Sequence, residues 1–296
     1  MICVPDDFPP VLRPSSVFQE LPEPLYFDSL PGSEDVLISR IQDSEVVLNI
    51  RSSSKFTARV FAACPRLKVL SVWGTGTDHV DLEAAARHGV IVRNTPGVSA
   101  ISIAEHALAL TLAAARRIPS LDAATRAGTW PRGQSVQLFG KTCGIIGLGA
   151  VGRQFLRLAN GFGMRTIAWT MHPWPGDRIV ELDEIYRTSD VISLHLRLSD
   201  KTVGMIGSRE FALMKPGAIF VNTARGAIVD ETALVEALQA GRIAAGLDVF
   251  ATEPLPPDHP LLSLSNAVIT PHCAGITPEA LEAGLRMAVE NCHLDQ

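Results

Sequence analysis

The chain has 296 residues, 47% hydrophobic and 19% charged, which suffices for two domains with substantial cores. Its net charge of −5 comes without a block of lysines and arginines, which argues against nucleic acid or an anionic membrane as the main partner. The five cysteines form no CxxC pair, and the N-terminus has no apolar signal core, which together favour a reduced, cytoplasmic protein. No stretch is long enough to span a membrane.

The first part of the chain alternates strand-like and helix-like segments. Alternation of this kind predicts a parallel sheet covered by helices on both faces. The strands are predicted over residues 1–4, 45–49, 68–72 and 90–93, and the helices between them over 34–42, 56–63 and 82–88.

A long apolar helix is predicted next, over residues 99–118, with Pro119 as its end. Its alanines and leucines occupy several faces, which favours a helix wedged between domains or subunits. A turn-rich section around "AGTWPRGQ" follows. A second alternating series then begins, with strands predicted over 142–146, 165–169, 191–196, 218–221, 244–249 and 267–270.

The sequence "GLGAVG", residues 147–152, stands between the first strand of this series and a helix pattern. In that context GxGxxG predicts a dinucleotide-binding turn. Gly147 permits the tight turn, Gly149 lets a pyrophosphate approach the backbone, and Gly152 lets helix and strand pack closely. The helix N-terminus, with Ala150 and Val151, offers N–H groups to phosphate. A turn without a ligand is the alternative interpretation.

An acid that selects NAD is expected about 20 residues further on, at the end of the next strand. That strand ends in Thr170-Met171-His172, and the first acid beyond it is Asp177. The missing acid removes the repulsion of a 2′-phosphate, so NADP is slightly favoured. The alternative is that NAD binds through other groups.

Three polar groups follow later strands of the second series: Arg225, Glu253 and His272. The carboxyl ends of parallel strands meet at one edge of a sheet, where ligands bind. His272 could exchange a proton with an oxygen, Glu253 could orient its ring, and Arg225 could bind a carboxylate in bidentate fashion. Each residue alone is more typical of a structural or solvated position, and their joint occurrence favours catalysis. Gly226 is interpreted as the point where the chain turns away.

Several long segments carry a family resemblance: "GIIGLGAVG", "LMKPGAIFVNTARGAIVDETALVEAL", "GLDVFATEPLPPDHPLL", "ITPHCAG" and "LSVWGTGTDHVDLEAAARHGVIVRNTPGVSAISIAEHALAL". In this order they resemble the D-isomer-specific 2-hydroxyacid dehydrogenase family over nearly the whole chain. The resemblance implies two doubly wound parallel-sheet domains with the active site between them. A flavodoxin-like substrate domain would comprise residues 1–96 and 272–296, and a Rossmann NAD(P)-binding domain residues 97–271. Members usually continue with a further helix, so a looser hinge is expected here.

The resemblance also implies roles for individual residues. Arg225, Glu253 and His272 match the family's catalytic residues, and the amides of Thr75 and Gly76 match its substrate loop. The cofactor contacts implied or predicted are Gly147, Gly149, Ala150, Val151, Gly152, Thr170, Ala224 and Asp248, the last beside the nicotinamide. The expected reaction is reduction of a 2-keto acid, with glyoxylate and hydroxypyruvate as first substrates.

Four further residues invite interpretation. Arg197, where the family commonly has proline, could reach a 2′-phosphate or be solvated. His195 could border the cofactor and is not predicted to be catalytic, and His106 is interpreted as structural. Cys273 is expected to be a small buried side chain, with a redox-sensitive site as the alternative. No group of residues has metal-ligand spacing, so no metal site is predicted.

The leading hypothesis is therefore an NAD(P)-dependent 2-keto acid reductase that forms a homodimer through the 99–118 region. One alternative is a cofactor-sensing binding module of the same fold with little turnover. A weaker alternative is another chemistry on this scaffold, such as formate or phosphonate oxidation. Retention of Arg225, Glu253 and His272 favours the enzyme.

Overall fold

A computed structural model describes residues 1–177 and 179–293 of the chain. The chain forms two compact units, Met1–Ser99 with Ile276–Gln296, and Ala100–Gly275. The boundaries predicted from the sequence, 96/97 and 271/272, stand a few residues before these divisions. Each unit has its own sheet and its own buried core.

The first unit contains a five-stranded parallel sheet. Its strands are β1 (Ile2–Val4), β2 (Leu25–Tyr26), β3 (Val46–Asn49), β4 (Val69–Val72) and β5 (Ile91–Arg93). They lie in the order β2-β1-β3-β4-β5, the flavodoxin-like arrangement. The two-residue strand β2 was not predicted, because so short a segment shows no hydrophobic period.

Three helices connect these strands: α1 (Glu34–Ile41), α2 (Ala58–Ala63) and α3 (Leu82–Arg87). Each begins after a side chain that accepts a hydrogen bond from a backbone amide of the first turn: Ser33, Thr57 and Asp81. Such caps satisfy N–H groups that the helix leaves without partners and mark where it starts.

The second unit is a six-stranded parallel sheet with helices on both faces. The strands are β6 (Thr142–Ile146), β7 (Arg165–Trp169), β8 (Val191–Leu194), β9 (Ala218–Asn222), β10 (Ile243–Leu247) and β11 (Ala267–Ile269). The order β11-β10-β9-β8-β6-β7 places the chain reversal at β6. In a doubly wound sheet this switch point is where ligands bind. Two doubly wound parallel sheets confirm the predicted fold class.

Six helices belong to the second unit: α4 (Ala100–Arg116), α5 (Ile118–Arg126), α6 (Ala150–Gly161), α7 (Leu182–Thr188), α8 (Ser208–Leu213) and α9 (Glu231–Gln239). Helix α4 ends at Arg116, two residues before its predicted end at residue 118. Arg117 then adopts a left-handed backbone with φ 55°, and Pro119 lies in the first turn of α5. The proline therefore starts a new helix instead of ending the helical region, since its missing N–H costs nothing there.

Helix α4 covers the sheet of its own unit. A Cβ on Gly246 of β10 would lie 2.8 Å from the Cβ of Leu110, so helix and strand approach too closely for any larger residue. Ala104, Ala107 and Leu110 are buried in this contact. The apolar helix predicted to be wedged between domains or subunits thus has a packing partner within its unit.

The chain closes with α10 (Pro278–Glu290), which packs in the first unit. There the hydroxyl of Ser71 donates to the carbonyl of Ala288 at 2.7 Å. Among the residues that the structure describes, no helix has the length and apolar character needed to cross a membrane.

Candidate active site

Three neighbouring strands of the second sheet deliver predicted site residues to one edge. Arg225 follows β9, Asp248 follows β10, and His272 follows β11. The strands are parallel and in register, with Leu247 pairing with both Asn222 and Ile269. Their carboxyl ends therefore share an edge, as the sequence predicts.

Glu253 and His272 form a hydrogen-bonded pair. Nδ1 of His272 lies 2.7 Å from Oε2 of Glu253, while Oε1 accepts from the backbone N–H of Phe250 at 2.9 Å. Burial raises the pKa of Glu253, but the hydrogen bonds from His272 and Phe250 and the charge of Arg225 outweigh it and leave the pKa below its ordinary value. Glu253 is thus held ionised, and its bond to Nδ1 fixes the ring and leaves Nε2 for proton exchange.

The loop that carries His272 is held by Asp248, whose side chain is 1% exposed. The carboxylate accepts from the hydroxyl of Thr270 at 2.6 Å and from the amides of Cys273 and Ala274 at 2.9 and 2.8 Å. The backbone N–H of His272 donates to the Asp248 carbonyl at 2.8 Å. These bonds stabilise the left-handed conformation of His272, φ 51°, which non-glycine residues rarely adopt.

His106 extends this network from α4. Its Nε2 lies 2.9 Å from the Thr270 hydroxyl and 3.5 Å from Asp248 Oδ1. From the sequence, His106 is expected to be structural, and no role is assigned to Thr270. Nothing in the sequence indicates that residues 164 positions apart meet. The predicted contact of Asp248 with a nicotinamide stays a prediction, and the structure adds its role in positioning the His272 loop.

Gly226 is explained by a close backbone approach. A Cβ there would lie 1.9 Å from the carbonyl carbon of Phe250 and 2.5 Å from the amide nitrogen of Ala251. Its φ is not positive, so the expected turn is not what requires glycine. The missing side chain lets the Arg225 segment pack against the loop that leads to Glu253. Asn222 supports the same segment by accepting from the Ala224 amide and donating to the Arg225 carbonyl.

The glycine-rich turn follows β6 at the switch point. Gly147 has φ 103°, and a Cβ on it would lie 2.5 Å from the carbonyl oxygen of His195. A Cβ on Gly152 would lie 1.9 Å from the carbonyl oxygen of Gly147. Gly149 is different, because a Cβ there meets nothing within 4 Å. Two glycines are thus required by the protein's own packing, and the third leaves open space at the N-terminus of α6.

This open position fits a dinucleotide phosphate. Gly149 and Ala150 are exposed, and no side chain caps the first turn of α6. Free N–H groups and the positive end of a twelve-residue helix favour an anion there. The residues present therefore fit the phosphates of a dinucleotide.

The loop after β7 is anchored by an ion pair. Arg153 of α6 donates to both oxygens of Asp177 at 2.8 Å, and Trp174 stacks on its guanidinium at 3.7 Å. The hydrogen bonds from Arg153 and the Trp174 amide lower the pKa of Asp177 to about 2. Its charge is thus neutralised by Arg153. Thr170, partly buried, accepts from the His172 amide at 3.4 Å.

His195 cannot serve as an acid or base. Burial lowers its pKa to about 3, so its ring stays neutral, with Nε2 2.9 Å from the Ser193 hydroxyl. Its carbonyl contacts the Gly147 turn. Arg197, on the same loop, is exposed.

Thr75 and Gly76 lie in the first unit, on the loop after β4. The carbonyl of Thr75 accepts from Asn94 at 2.7 Å, and Thr95 holds the loop from the other side by accepting from the Gly74 amide at 2.8 Å. Within the part of the chain that the structure describes, the amides of Thr75 and Gly76 donate to no protein acceptor. They are available to an anion or to water.

An apolar cavity of about 510 Å³ adjoins the Glu253–His272 pair in the second unit. Its lining consists of Phe250, Glu253, Pro254, Leu255, Leu262, Ile269, Thr270, Pro271 and His272. The pair is therefore bordered by apolar surface on this side, while the side chains of His272 and Glu253 remain 48% and 34% exposed to solvent.

Comparison with known proteins assigns the chain to a family. Residues 108–274 match the model "D-isomer specific 2-hydroxyacid dehydrogenase, NAD binding domain". A glyoxylate reductase of Korarchaeum cryptofilum is 38% identical over 280 residues, which are 90% of this chain and 84% of that protein. The chain belongs to the D-isomer specific 2-hydroxyacid dehydrogenase family. The predicted resemblance is confirmed.

Other members share different extents of the chain. A D-3-phosphoglycerate dehydrogenase of Archaeoglobus fulgidus is 42% identical over 266 residues, covering 86% of this chain and 50% of that protein. The chain thus spans about half the length of that relative. The chain is also similar to the solved structure of an acyclic imino acid reductase, Bsp5, in complex with NADPH and D-Arg. The two superpose with a TM-score of 0.88 at 30% sequence identity, and the match covers 96% of this chain and 94% of that one.

Proposed function

We propose that this protein is an NAD(P)-dependent oxidoreductase that interconverts a 2-keto acid and a D-2-hydroxy acid. The observation that carries the proposal is the Glu253–His272 pair, 2.7 Å apart, on the strand edge that also bears Arg225. The matched NAD binding domain supports a nicotinamide cofactor. Gly149, Ala150 and Val151 at the start of α6 would hold its phosphates.

In the proposed reaction the bound cofactor supplies the hydride that reduces C2 of the keto acid. His272 gives the proton on Nε2 to the keto oxygen, so the product is a neutral hydroxyl. Glu253 accepts from Nδ1 and stabilises the imidazolium before transfer. In the reverse direction the same nitrogen accepts the hydroxyl proton.

Arg225 is the proposed binding residue for the substrate carboxylate. Its planar guanidinium matches a carboxylate in bidentate fashion and polarises a nearby keto oxygen. The amides of Thr75 and Gly76 are proposed as further carboxylate donors, in keeping with their lack of an acceptor among residues 1–177 and 179–293. Glyoxylate and hydroxypyruvate are the proposed first substrates, consistent with a relative named glyoxylate reductase.

The direct test replaces His272 with alanine. Loss of a general acid costs about 10²–10⁴-fold in turnover, so His272→Ala should be nearly inactive while it binds cofactor as wild type does. His88→Ala removes an exposed histidine that follows α3 and is the matched control. Weakened cofactor binding with unchanged turnover per bound complex would contradict the assignment. No turnover of any keto acid by the wild type would favour the cofactor-sensing module.

A preference for NADP is also proposed. Thr170 stands at the end of β7, where an acid would repel a 2′-phosphate, and the charge of Asp177 is neutralised by Arg153. His172 and Arg197 are exposed on loops at this end of the sheet. The related imino acid reductase was solved with NADPH.

Cofactor preference is measured by crossing NADH and NADPH with glyoxylate, hydroxypyruvate, pyruvate and phenylpyruvate. We expect a higher kcat/KM with NADPH, reversed in Thr170→Asp because the new carboxylate repels the phosphate. A much higher kcat/KM with NADH in the wild type would refute the interpretation of Thr170 and Arg197.

A homodimer is proposed from apolar surface on the second unit. Ile101, Ile118 and Trp130 are 60%, 55% and 74% exposed. Large apolar side chains exposed in and after α4 would be buried by an interface between subunits. Light scattering should give twice the chain mass, and a monomer at micromolar concentration would contradict the proposal.

A further inference from the structure

Three potential metal ligands converge behind the His272 loop. The Nε2 of His106, a carboxylate oxygen of Asp248 and the Sγ of Cys273 all lie within 4.8 Å of one another. Nε2 of His106 lies 3.5 Å from Oδ1 of Asp248. They come from α4 and from the loops after β10 and β11, and all belong to the second unit. We call them the His–Asp–Cys cluster.

We propose that the His–Asp–Cys cluster binds a thiophilic divalent cation such as Zn²⁺. Imidazole nitrogen, thiolate sulfur and carboxylate oxygen are the ligands that zinc takes, with bonds of about 2.0–2.3 Å. Bonds of that length in a tetrahedron hold ligand atoms roughly 3.3–3.8 Å apart. Ligand atoms that are up to 4.8 Å apart would therefore need to approach by at most about 1.0–1.5 Å, and water supplies the fourth ligand.

Asp248 is already held as a metal-binding carboxylate would be. Its oxygens accept from Thr270 and from the amides of Cys273 and Ala274. An ionised carboxylate offers about four acceptor positions, so a further one is available. The Cys273 thiol lies within 4.8 Å of this carboxylate. The cation would take the place of the thiol proton, which passes to solvent.

The surroundings supply the outer contacts that metal sites need. The Thr270 hydroxyl donates to Asp248 at 2.6 Å and would orient that ligand. Contacts of this kind orient ligands and account for 10–100-fold in metal affinity. The 2.9 Å contact of the Thr270 hydroxyl with His106 Nε2 would be replaced by the metal bond, because that nitrogen cannot serve both partners, and the ring proton would move to Nδ1.

Cys273 is the accessible thiol. Each of the five cysteines lies in the described part of the chain, and the four others are buried. The side chain of His106 is 24% exposed, so solvent also reaches a second ligand.

Metal binding would also affect His272. The backbone N–H of His272 and the amide of Cys273 are both tied to Asp248. Contraction of the cluster therefore shifts the segment that holds His272 against Glu253. Provided that the proposed function holds, the cation should lower kcat without competing with the keto acid.

The test measures binding first. Reduced, metal-free full-length protein is titrated with Zn²⁺ against a chromophoric zinc chelator. We expect one equivalent to bind and Cys273→Ala, which keeps both backbone donors to Asp248, to lose at least about tenfold in affinity. Cys64→Ala, which removes a buried thiol elsewhere, should bind like wild type. Co²⁺ should give a thiolate charge-transfer band that Cys273→Ala lacks.

Three outcomes would overturn the proposal: no zinc bound at one equivalent, unchanged affinity in Cys273→Ala, or loss of zinc only in His272→Gln, which would place it at the Glu253 pair. His106→Gln repeats the binding test if Cys273→Ala fails to fold. Binding needs no turnover, so failure of the metal site and failure of the proposed activity are separate results.

Discussion

The three glycines of the dinucleotide turn make a sharp prediction, because the structure requires them for different reasons. Gly149→Ala places a methyl group where nothing lies within 4 Å, at φ −74° and ψ −165°, which any residue adopts. Gly152→Ala places one 1.9 Å from the carbonyl oxygen of Gly147. Only the first substitution should leave the fold intact and impair cofactor binding.

The expected magnitudes follow from these contacts. Alanine in place of glycine at a helix N-cap lowers the free energy of unfolding by about 0.5–1 kcal/mol. Alanine also restricts the unfolded chain, which raises the free energy of unfolding by about 0.4–1 kcal/mol. The free energy of unfolding of Gly149→Ala should therefore change little. At position 152 the methyl must move by about 1.5 Å to reach an ordinary contact of about 3.4 Å, and such overpacking costs about 1–3 kcal/mol. Its Tm should fall by roughly 2–12 °C.

Two assays separate the variants. Thermal unfolding without cofactor reports the fold, and calorimetric titration with NADPH and NADH reports binding. We expect Kd to rise at least about tenfold in Gly149→Ala, equal to about 1.4 kcal/mol, because the methyl blocks the approach of a phosphate. Gly161→Ala, which also meets open space but lies at the far end of α6, should match the wild type in both assays. Wild-type cofactor affinity in Gly149→Ala would refute a phosphate site at this position.

Three further predictions concern the loops around the strand edge. Gly226→Ala should lower kcat by about 10²-fold and leave the cofactor Kd unchanged. The reason is that its Cβ would lie 1.9 Å from the backbone of the loop that leads to Glu253. An unaltered kcat would contradict this reasoning. Thr270→Val keeps the side-chain shape but removes the 2.6 Å hydrogen bond to Asp248. The free energy of unfolding in urea should fall by about 1.5–3 kcal/mol, and kcat should fall with it. Loss of stability without loss of kcat would refute a positioning role. Asp177→Asn should lower the Tm at neutral pH. The pKa of Asp177 is depressed from 3.8 to about 2 in the folded protein, so its ionised form stabilises the fold above pH 3.8. This stabilisation is lost as the pH falls through 2. The Tm difference from wild type should therefore narrow below pH 3.8, and a constant difference would argue against the ion pair.

Apart from β2, the strands were predictable because each is a short apolar run bounded by turn residues. β6 and β7 have the predicted bounds, and β8 ends two residues before its predicted end, since Leu194 is followed by the loop that meets Gly147. Pro119 was misinterpreted, because a proline stops one helix and starts another with the same local signal. Only the left-handed turn at Arg117 distinguishes the two, and it is a tertiary outcome.

The shared location of Glu253 and His272 was likewise predictable from the sequence. Parallel topology brings the ends of β9, β10 and β11 to one edge, so Arg225, Glu253 and His272 had to share it. Their mutual geometry was not predictable. Whether Glu253 reaches Nδ1 of His272 depends on the path of the loop from Phe250, and that path depends on the contact at Gly226.

The sequence by itself determined the fold class, the dinucleotide turn and the family, because these depend on local periodicity, on glycine spacing and on motifs contiguous in the chain. Tertiary structure decided what surrounds the catalytic histidine. The network of Thr270, Asp248 and His106 joins residues from three elements, and no local pattern records which side chains converge once the sheet forms. Gly226 shows the same division. The sequence indicates that a side chain is missing there, and only the close approach of the Phe250 backbone gives the reason.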